Sequence, residues 1–318
     1  MIKRYFIAVI FFVITVIAIP FVVFFFMNIE GKKEVDTPRE NDEISVFFKD
    51  ENEARIMDMD EYLCGVVSAE MPAEFETEAL KAQAVAARSY ACYRKENPSP
   101  DHPDAAVCTD FAHCKAYRSP EVQKTIWGED AKKYSQKIAD AVYKTSGEII
   151  TYNGEVAMAV FHSQTGAGKT ENSKDVWGGE VPYLISVESH GEESAPNFYS
   201  TQIVSFKEFK EKLVSIKPDV KIETPLDIGV PVLSEGGSVK NLTIGGKEFS
   251  GKEIRSVFSL RSSCFKIMAD NETVTFEVTG YGHGVGMSQY GANTMAKEGY
   301  SYIDILKHYY TGIQISGV

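Results

Sequence analysis

The sequence predicts an α+β fold, because helix and strand patterns are interspersed without a regular strand-helix-strand order. Residues 77–96 are rich in alanine and repeat apolar positions every three or four residues, as a packed helix does. Two apolar runs joined by Asn153-Gly154 predict a hairpin, and residues 273–279 alternate as a half-buried strand does. We therefore expect a mixed sheet with helices around a binding cleft, preceded by one N-terminal transmembrane helix.

The N-terminal segment predicts a membrane anchor. Residues 5–27 carry no charged side chain, and as a helix they are long enough to cross roughly 30 Å of hydrocarbon. Lys3 and Arg4 precede this segment, so the positive-inside rule predicts a cytoplasmic N-terminus with the rest of the chain outside. A cleaved signal peptide is the alternative, but its apolar core is usually about 7 to 15 residues and ends in small residues.

The rest of the chain is expected to form one folded domain. Residues 1–29 are taken as the cytoplasmic tip and anchor, residues 30–43 as a polar tether, and residues 44–318 as the folded domain. The net charge of −12 would repel a polyphosphate, so we expect no nucleic-acid partner. Five cysteines are an odd number for an exported chain and exclude a complete disulfide framework.

Several helix ends can be read directly. A short helix over "DEYLCGVVSAEM" should end near Met71, because the residue before Pro72 is pushed out of the helical conformation. The helix "KKYSQKIADAVYKTS" is expected to run as far as Gly147. Ser205 and Ser250 each stand three residues before a glutamate, which predicts that they begin two further helices.

A proline-bounded loop, about residues 97–118, contains a cluster of metal-ligating residue types: His102, Cys108, His113 and Cys114. Two thiolates and two imidazoles are a ligand set that tetrahedral zinc takes. The alternative is a Cys108–Cys114 disulfide, favoured by the exterior location, with ordinary surface histidines. The adjacent positions of His113 and Cys114 are geometrically awkward, so one of the four residues could support the site without ligating.

One acid in the stretch "CGVVSAEMPAEF" differs from its neighbours. Glu74, Glu76 and Glu78 are expected in the first turns of a helix, where the helix dipole favours negative side chains. Glu70 instead follows a run of small and branched apolar residues, so its carboxyl should be partly removed from water, which suits a general acid. The alternative is a partly buried glutamate paired with a base such as Arg88.

A glycine-rich loop between the strand 273–279 and the following helix is a candidate binding element. Its glycines alternate with Tyr281, His283 and Val285, and polar and aromatic residues follow immediately. Glycines that admit a ligand close to the backbone, beside aromatic and amide groups, suit an uncharged polar polymer such as a glycan.

Three long blocks together resemble the signature blocks of the stage II sporulation protein D (SpoIID) family, which includes the amidase-modifier LytB. They are "SAEMPAEFETEALKAQAVAARSYA", "FHSQTGAGKTENSKDVWGGEVPYLISV" and "GYGHGVGMSQYGANTMAKEGYSYIDILKHYYTG", and the resemblance covers nearly all of the chain after residue 44. The chain departs from the usual pattern at Ala167, which splits Gly166 and Gly168 where adjacent glycines are common.

The resemblance implies a membrane-anchored lytic transglycosylase that acts on peptidoglycan glycan strands stripped of their stem peptides. The family's catalytic glutamate falls on Glu70, which would cleave the MurNAc–GlcNAc bond and leave a 1,6-anhydroMurNAc end. The family's blocks imply a glycan groove formed by Ser163, Thr165, His283, Gly284, Ser288, Gln289 and Tyr290. The Cys/His cluster resembles the zinc loop of some clostridial-type members, so zinc is expected to be structural.

The resemblance also implies a biological setting. It suggests engulfment during endospore formation, alongside the amidase SpoIIP and the membrane protein SpoIIM, at the mother-cell membrane facing the forespore. The alternative is a non-enzymatic glycan-binding module that activates an amidase, as the modifier branch of the family suggests. A zinc hydrolase is a weaker third possibility, because the cluster is expected to lie away from the glycan blocks.

Overall fold

The computed structural model describes residues 42–317. The predicted anchor and most of the predicted tether therefore lie outside the described residues. Within the described part of the chain, no helix combines the length and the apolar character that crossing a membrane requires. The first strand begins at Glu43, one residue from the expected start of the domain.

Helices and strands alternate irregularly along the chain, which confirms the α+β class. The helices are α1 Met59–Glu70, α2 Thr77–Glu96, α3 Pro120–Trp127, α4 Ala131–Tyr143, α5 Ser173–Trp177, α6 Phe206–Ile216, α7 Gly251–Phe258, α8 Gln289–Lys297 and α9 Tyr302–Tyr309. The strands are β1 Glu43–Phe48, β2 Glu53–Asp58, β3 Val107–Cys108, β4 Glu148–Tyr152, β5 Glu155–Val156, β6 Phe161–His162, β7 Tyr199–Ser205, β8 Val232–Leu233, β9 Val239–Ile244, β10 Lys247–Ser250, β11 Phe265–Ala269, β12 Thr273–Thr279, β13 Met287–Ser288 and β14 Gln314–Gly317.

The strands form small separate sheets rather than the one mixed sheet expected. In the described residues their orders are β2-β1-β3, β10-β9-β8, β11-β12-β7, β13-β6 and β14-β4-β5. Among the strands of residues 42–317, the pairs β1–β3 and β6–β13 are parallel and the others antiparallel. Several strands are two residues long, because glycine loops and helices interrupt the apolar runs, and such short strands cannot extend a common sheet.

The main hydrophobic core is built around α2. Its predicted apolar face, Leu80, Ala84, Ala87 and Ala91, is fully buried, which confirms the reading of its periodicity. Small alanine side chains let the backbones of α1, α4, α8, α9 and β4 pack closely around α2. This core holds the helices that carry the candidate site.

A second core lies between the sheet β11-β12-β7 and the helices α6 and α7. Its centre is an aromatic cluster in which the Phe258 and Phe276 rings lie 4.9 Å apart and Phe209 stacks on Phe258 at 5.3 Å. The strand predicted over 273–279 is β12, with the predicted bounds and with alternating burial. Ser205 and Ser250 are the N-caps of α6 and α7, as predicted.

The hairpin prediction at Asn153-Gly154 is confirmed. It joins β4 to β5, and both turn residues have positive φ, 52° and 87°, as a type I′ turn requires. The preceding helix is shorter than predicted, because α4 ends at Tyr143 and not near Gly147. The Arg88 guanidinium accounts for this end, since it donates to the Thr145 carbonyl at 2.6 Å.

Candidate active site

Glu70 is the last residue of α1, and the helix ends there because Met71, which precedes Pro72, is extended. Its carboxylate is half-buried and accepts two hydrogen bonds from different parts of the chain. The Ala116 backbone N–H donates to Oε1 at 3.2 Å, and Gln289 Nε2 donates to Oε2 at 3.3 Å. These contacts orient the carboxyl group and leave each oxygen a further lone pair for a substrate.

The loop between α2 and α3 docks on α1 and so reaches Glu70. Gly65 permits this contact, since a Cβ there would lie 2.1 Å from a ring carbon of Tyr117. Arg118 then anchors the loop by donating to the Ser68 carbonyl at 2.6 Å. The loop that bears the Cys/His cluster was expected away from the glycan blocks. It instead ends beside Glu70, because small residues on α1 let it pack there.

Lys115, in the same loop, brings a buried positive charge to the site. Its ammonium lies 3.6 Å from the centre of the Phe161 ring and 4.6 Å from that of Tyr90, which are cation–π distances. Burial lowers the pKa of Lys115, and the charge of Glu70 acts in the opposite direction. The sequence analysis did not single out this lysine, although it directly follows Cys114.

Gln289 and Tyr290 begin α8 and bring the third block to Glu70. Ser288 is the N-cap, and its hydroxyl accepts from the Gly291 N–H. The Tyr290 N–H donates to the Ser163 carbonyl at 3.1 Å, which ties the second block to the third. The Tyr290 ring meets Phe75 edge-on at 4.9 Å. Gln289, Tyr290 and Ser163 are therefore together, as the resemblance implies.

Thr165 and Ser288 occupy a different position, because their side chains face a buried carboxylate. Glu192 accepts hydrogen bonds from the Thr165 N–H and hydroxyl, from the Ser288 hydroxyl at 2.7 Å, and from the Ser189 hydroxyl at 2.5 Å. Burial raises the pKa of Glu192, and the hydrogen bonds oppose that rise. Thr165 and Ser288 thus hold the wall of the site in place through the buried Glu192, with their side chains directed into the protein interior.

His283 lies in an aromatic group on the other side of the glycine-rich loop. Its ring centre is 5.3 Å from that of Trp177, which is partly exposed, and 5.6 Å from that of His162. Burial lowers the pKa of His162 to about 4 and that of His283 well below its ordinary value, so both imidazoles are neutral near pH 7. Trp177 offers an exposed ring face, which a sugar can stack on, and the sequence analysis did not single it out.

The glycines of this loop have a structural reason that the sequence analysis did not anticipate. Gly284 has a φ of +81°, and its carbonyl accepts from the Glu171 N–H at 2.7 Å. Gly286 has a φ of +72°, and a Cβ there would lie 2.1 Å from the Val160 carbonyl oxygen. Positive φ and close packing on the second block therefore require glycine at both positions.

The remaining acids of the opening stretch have ordinary surroundings. Glu78, in the first turn of α2, pairs with Lys81 at 2.6 Å, and Glu76 is the N-cap position of that helix. Glu74 precedes the helix, so the prediction that it lies in the first turns is wrong, because the helix begins only at Thr77. Arg88 is fully buried and pairs with Asp60, so it is not the partner of Glu70.

The four Cys/His candidates come together in a group that could hold a metal ion. Nitrogen or sulfur atoms of His102, Cys108, His113 and Cys114 all lie within 4.8 Å of one another. His102 Nε2 is 3.3 Å from Cys114 Sγ, and His113 Nδ1 is 3.4 Å from both sulfurs. Both cysteines are free thiols, so the disulfide alternative is not what the structure contains.

The second nitrogen of each histidine in the cluster is already engaged. His102 Nδ1 lies 2.7 Å from the Ala105 carbonyl, and His113 Nε2 lies 3.0 Å from Asp101. Such partners orient the rings of metal-ligating histidines and leave one nitrogen facing the ion. Burial raises the pKa of Cys108 to about 11, so a cation is needed to hold its thiolate at neutral pH.

Comparisons with known proteins identify the family of the chain. A family described as SpoIID, stage II sporulation protein, matches residues 49–152. The chain is 40% identical over 260 residues to stage II sporulation protein D of Bacillus subtilis, covering 81% of this chain and 74% of that protein. It is 39% identical to the protein of the same name from Bacillus amyloliquefaciens over the same shares. It is also 29% identical to the amidase enhancer of Bacillus subtilis, covering 80% of this chain and 40% of that protein. The chain belongs to the stage II sporulation protein D family.

Proposed function

We propose that the chain is a lytic transglycosylase of peptidoglycan, with Glu70 as its catalytic acid and base. The substrate is a glycan strand from which the stem peptides have been removed, and the product ends in 1,6-anhydroMurNAc. The setting is engulfment during endospore formation, with the domain outside a membrane that residues 5–27 span. SpoIIP and SpoIIM are the proposed partners, and the relative named amidase enhancer supports a link to an amidase.

One observation carries this proposal. Glu70, in the first block, is hydrogen-bonded by Gln289 of the third block and by the Ala116 N–H, so both groups that contact its carboxylate are amide N–H donors. A glycosidase usually needs a second carboxylate as nucleophile or base for water. That second carboxylate would stand about 5 to 9.5 Å away, beyond hydrogen-bond distance, so the family resemblance, and not these contacts, supports a reaction in which the sugar provides its own nucleophile.

The mechanism follows from this geometry. Glu70 donates a proton to the oxygen of the MurNAc–GlcNAc bond as that bond breaks. The same carboxylate then takes the proton from the 6-hydroxyl of MurNAc while that oxygen attacks C1 and closes the anhydro ring. No water is consumed and Glu70 returns to its starting form. Ala116 and Gln289 hold the carboxyl group, and the exposed Trp177 ring offers a stacking face for a sugar.

The test is digestion of amidase-treated glycan strands by the detergent-solubilised full chain, with products sized by mass. We expect anhydro ends from the unchanged chain and a loss of about a hundred- to ten-thousandfold in rate for Glu70→Ala, the usual cost of removing a general acid–base group. Glu74→Ala is the control, since that carboxylate lies outside the site. Equal activity of Glu70→Ala, or products carrying an added water, would exclude this mechanism.

A second candidate function is glycan binding that activates an amidase, without cleavage by this chain. The likeness to the amidase enhancer favours it. The same experiment separates the two candidates, because an activator leaves the strands uncut while it increases release of stem peptides by an added amidase. Under that function Glu70→Ala would have no effect on amidase stimulation.

We further propose that the Cys/His cluster binds zinc. The ligand set His102, Cys108, His113 and Cys114 is complete for a tetrahedral ion, with two sulfurs and two nitrogens, so no position is left for a substrate. The ion would therefore act in folding, by fixing the loop that carries Ala116 and Lys115. A zinc hydrolase is disfavoured for the same reason.

A further inference from the structure

Two arginines near the glycine-rich loop lack a carboxylate partner. Among residues 42–317, no acid forms an ion pair with Arg255 or Arg261, although the chain as a whole has a net charge of −12. Arg261 Nε is also buried and makes no hydrogen bond. Arg94 and Arg118 also form no ion pair, but each donates a side-chain hydrogen bond within the described residues, whereas the Arg261 guanidinium donates none there, which indicates an anion that comes from outside.

Arg261 is held in a defined orientation. The centre of its guanidinium group lies 3.9 Å from the centre of the Tyr281 ring, and that ring is partly exposed. The Arg261 carbonyl accepts from the Gly282 N–H at 3.0 Å, which ties the residue to the glycine-rich loop. A stacked planar guanidinium presents its N–H edge to a carboxylate and loses little freedom on binding.

Arg261 is connected to the Glu70 site through Tyr281. The Gln164 N–H donates to the Tyr281 carbonyl at 3.0 Å, and Ser163, the residue before Gln164, accepts from the Tyr290 N–H at 3.1 Å. Tyr290 directly follows Gln289, whose amide holds Glu70. Arg255 donates from Nε to the Leu260 carbonyl at 3.3 Å, and its charge acts on both His162 and His283. Arg261 thus lies against the glycine-rich loop, on the side that these backbone contacts connect to Tyr290.

The proposed substrate offers one anion of the right kind. A MurNAc residue carries a lactyl group, which is a neutral amide while the stem peptide is attached and a free carboxylate once the peptide is removed. We propose that Arg261, stacked on Tyr281, binds the lactyl carboxylate of a peptide-free MurNAc residue. This inference rests on the proposed function, and it adds a physical reason for the enzyme to select strands whose stem peptides have been removed.

The test measures binding, so that it does not depend on cleavage. The detergent-solubilised full chain with Glu70→Gln is titrated with a peptide-free glycan tetrasaccharide, with the same compound after its carboxyls are converted to methylamides, and with a peptide-bearing tetrasaccharide. We expect the methylamide and the peptide-bearing compound to bind about ten- to hundredfold more weakly, the range for losing a hydrogen bond between charged groups. Adding Arg261→Ala should abolish this preference by weakening binding of the peptide-free compound alone.

Controls keep the result specific to Arg261. Arg55→Ala removes an exposed arginine that pairs with Glu53 on β2, and it should leave the preference unchanged. Thermal unfolding verifies that Arg261→Ala is folded. A preference that survives Arg261→Ala, equal binding of all three compounds, or tight binding of the peptide-bearing compound through its own carboxylates would each overturn the inference. If the chain prefers the carboxylate form but cuts no glycan, the proposed transglycosylase activity would be overturned and the binding inference would stand.

Discussion

At the scale of single residues, the candidate acid is defined by its neighbours more than by its own burial. Glu70 is half-buried at a helix end, and two N–H groups from distant segments reach its two carboxylate oxygens. The run of apolar residues before it made Glu70 identifiable in the sequence. Its two partners were not identifiable in the same way. One is a backbone group, and the sequence does not reveal which loop packs against the end of α1.

Gln289 gives the first prediction at this scale. Gln289→Met keeps the side-chain length and removes the amide that donates to Glu70 at 3.3 Å. We expect kcat for glycan cleavage to fall about ten- to hundredfold, the cost of one hydrogen bond to a charged group, with KM nearly unchanged. Steady-state kinetics on peptide-free strands measures both constants.

The matched control is Gln83→Met. Gln83 is also fully buried, but neither of its amide atoms has a hydrogen-bond partner, so its loss tests the effect of removing a buried amide as such. A change confined to KM in Gln289→Met would mean that Gln289 holds the sugar and not the acid. An equal fall in kcat for both variants would mean that the effect is one of packing.

At the scale of elements, the loop between α2 and α3 connects the metal cluster to the site. Its first half contains His102 and Cys108, and its second half contains Lys115 and Ala116, which face the site. A loop of this length without long helices or strands needs another source of rigidity. A bound ion together with the docking on Gly65 provides it.

Zinc content tests this reading of the loop. Cys108→Ser should reduce zinc from about one ion per chain to a small fraction, because a neutral hydroxyl replaces the thiolate ligand. Elemental analysis of the purified chain measures it, and Cys64→Ser, at a half-buried free cysteine in α1, should keep the ion. Full occupancy in Cys108→Ser would remove that cysteine from the site.

The elements also show where sequence patterns suffice. Local signals fixed α2, the hairpin at Asn153-Gly154, and β12, because alanine periodicity, a type I′ turn and strict alternation each act within a few residues. The predicted end of α4 was wrong, since a contact from far along the sequence acts there: Arg88 donates to the carbonyl of Thr145, two residues beyond the last residue of the helix. The sites of Trp177 and Arg261 were also missed, since an exposed ring and an unpaired charge are visible only after the chain has folded.

At the scale of the whole molecule, one buried carboxylate joins segments that lie far apart in the sequence. Glu192 accepts from Thr165 and Ser288, and Ser189 links the same carboxylate to Tyr309 at 2.7 Å. The second block, the loop after it and the third block are therefore joined at a single group. The position of α8, and with it Gln289, depends on this connection.

The pH dependence of stability follows from that buried group. Burial raises the native pKa of Glu192 above its value of 4.5 in the unfolded chain. In the window from about pH 4.5 up to the raised native value, the folded chain binds a proton that the unfolded chain has released. Its contribution to stability is thus fully present below pH 4.5 and is lost as the pH rises through the native pKa. Glu192→Gln cannot release a proton, so the free energy of unfolding of the unchanged chain, minus that of the variant, should fall across this window in urea titrations.

The hydroxyls of Thr165 and Ser189 can turn to accept from the new amide, so the fold should persist. Glu193→Gln, at an exposed neighbour, controls for the loss of one negative charge, and the other acids titrate equally in both chains. A difference that stays constant or grows with pH would show that Glu192 is already ionised in the native state, and the hydrogen bonds would then outweigh its burial.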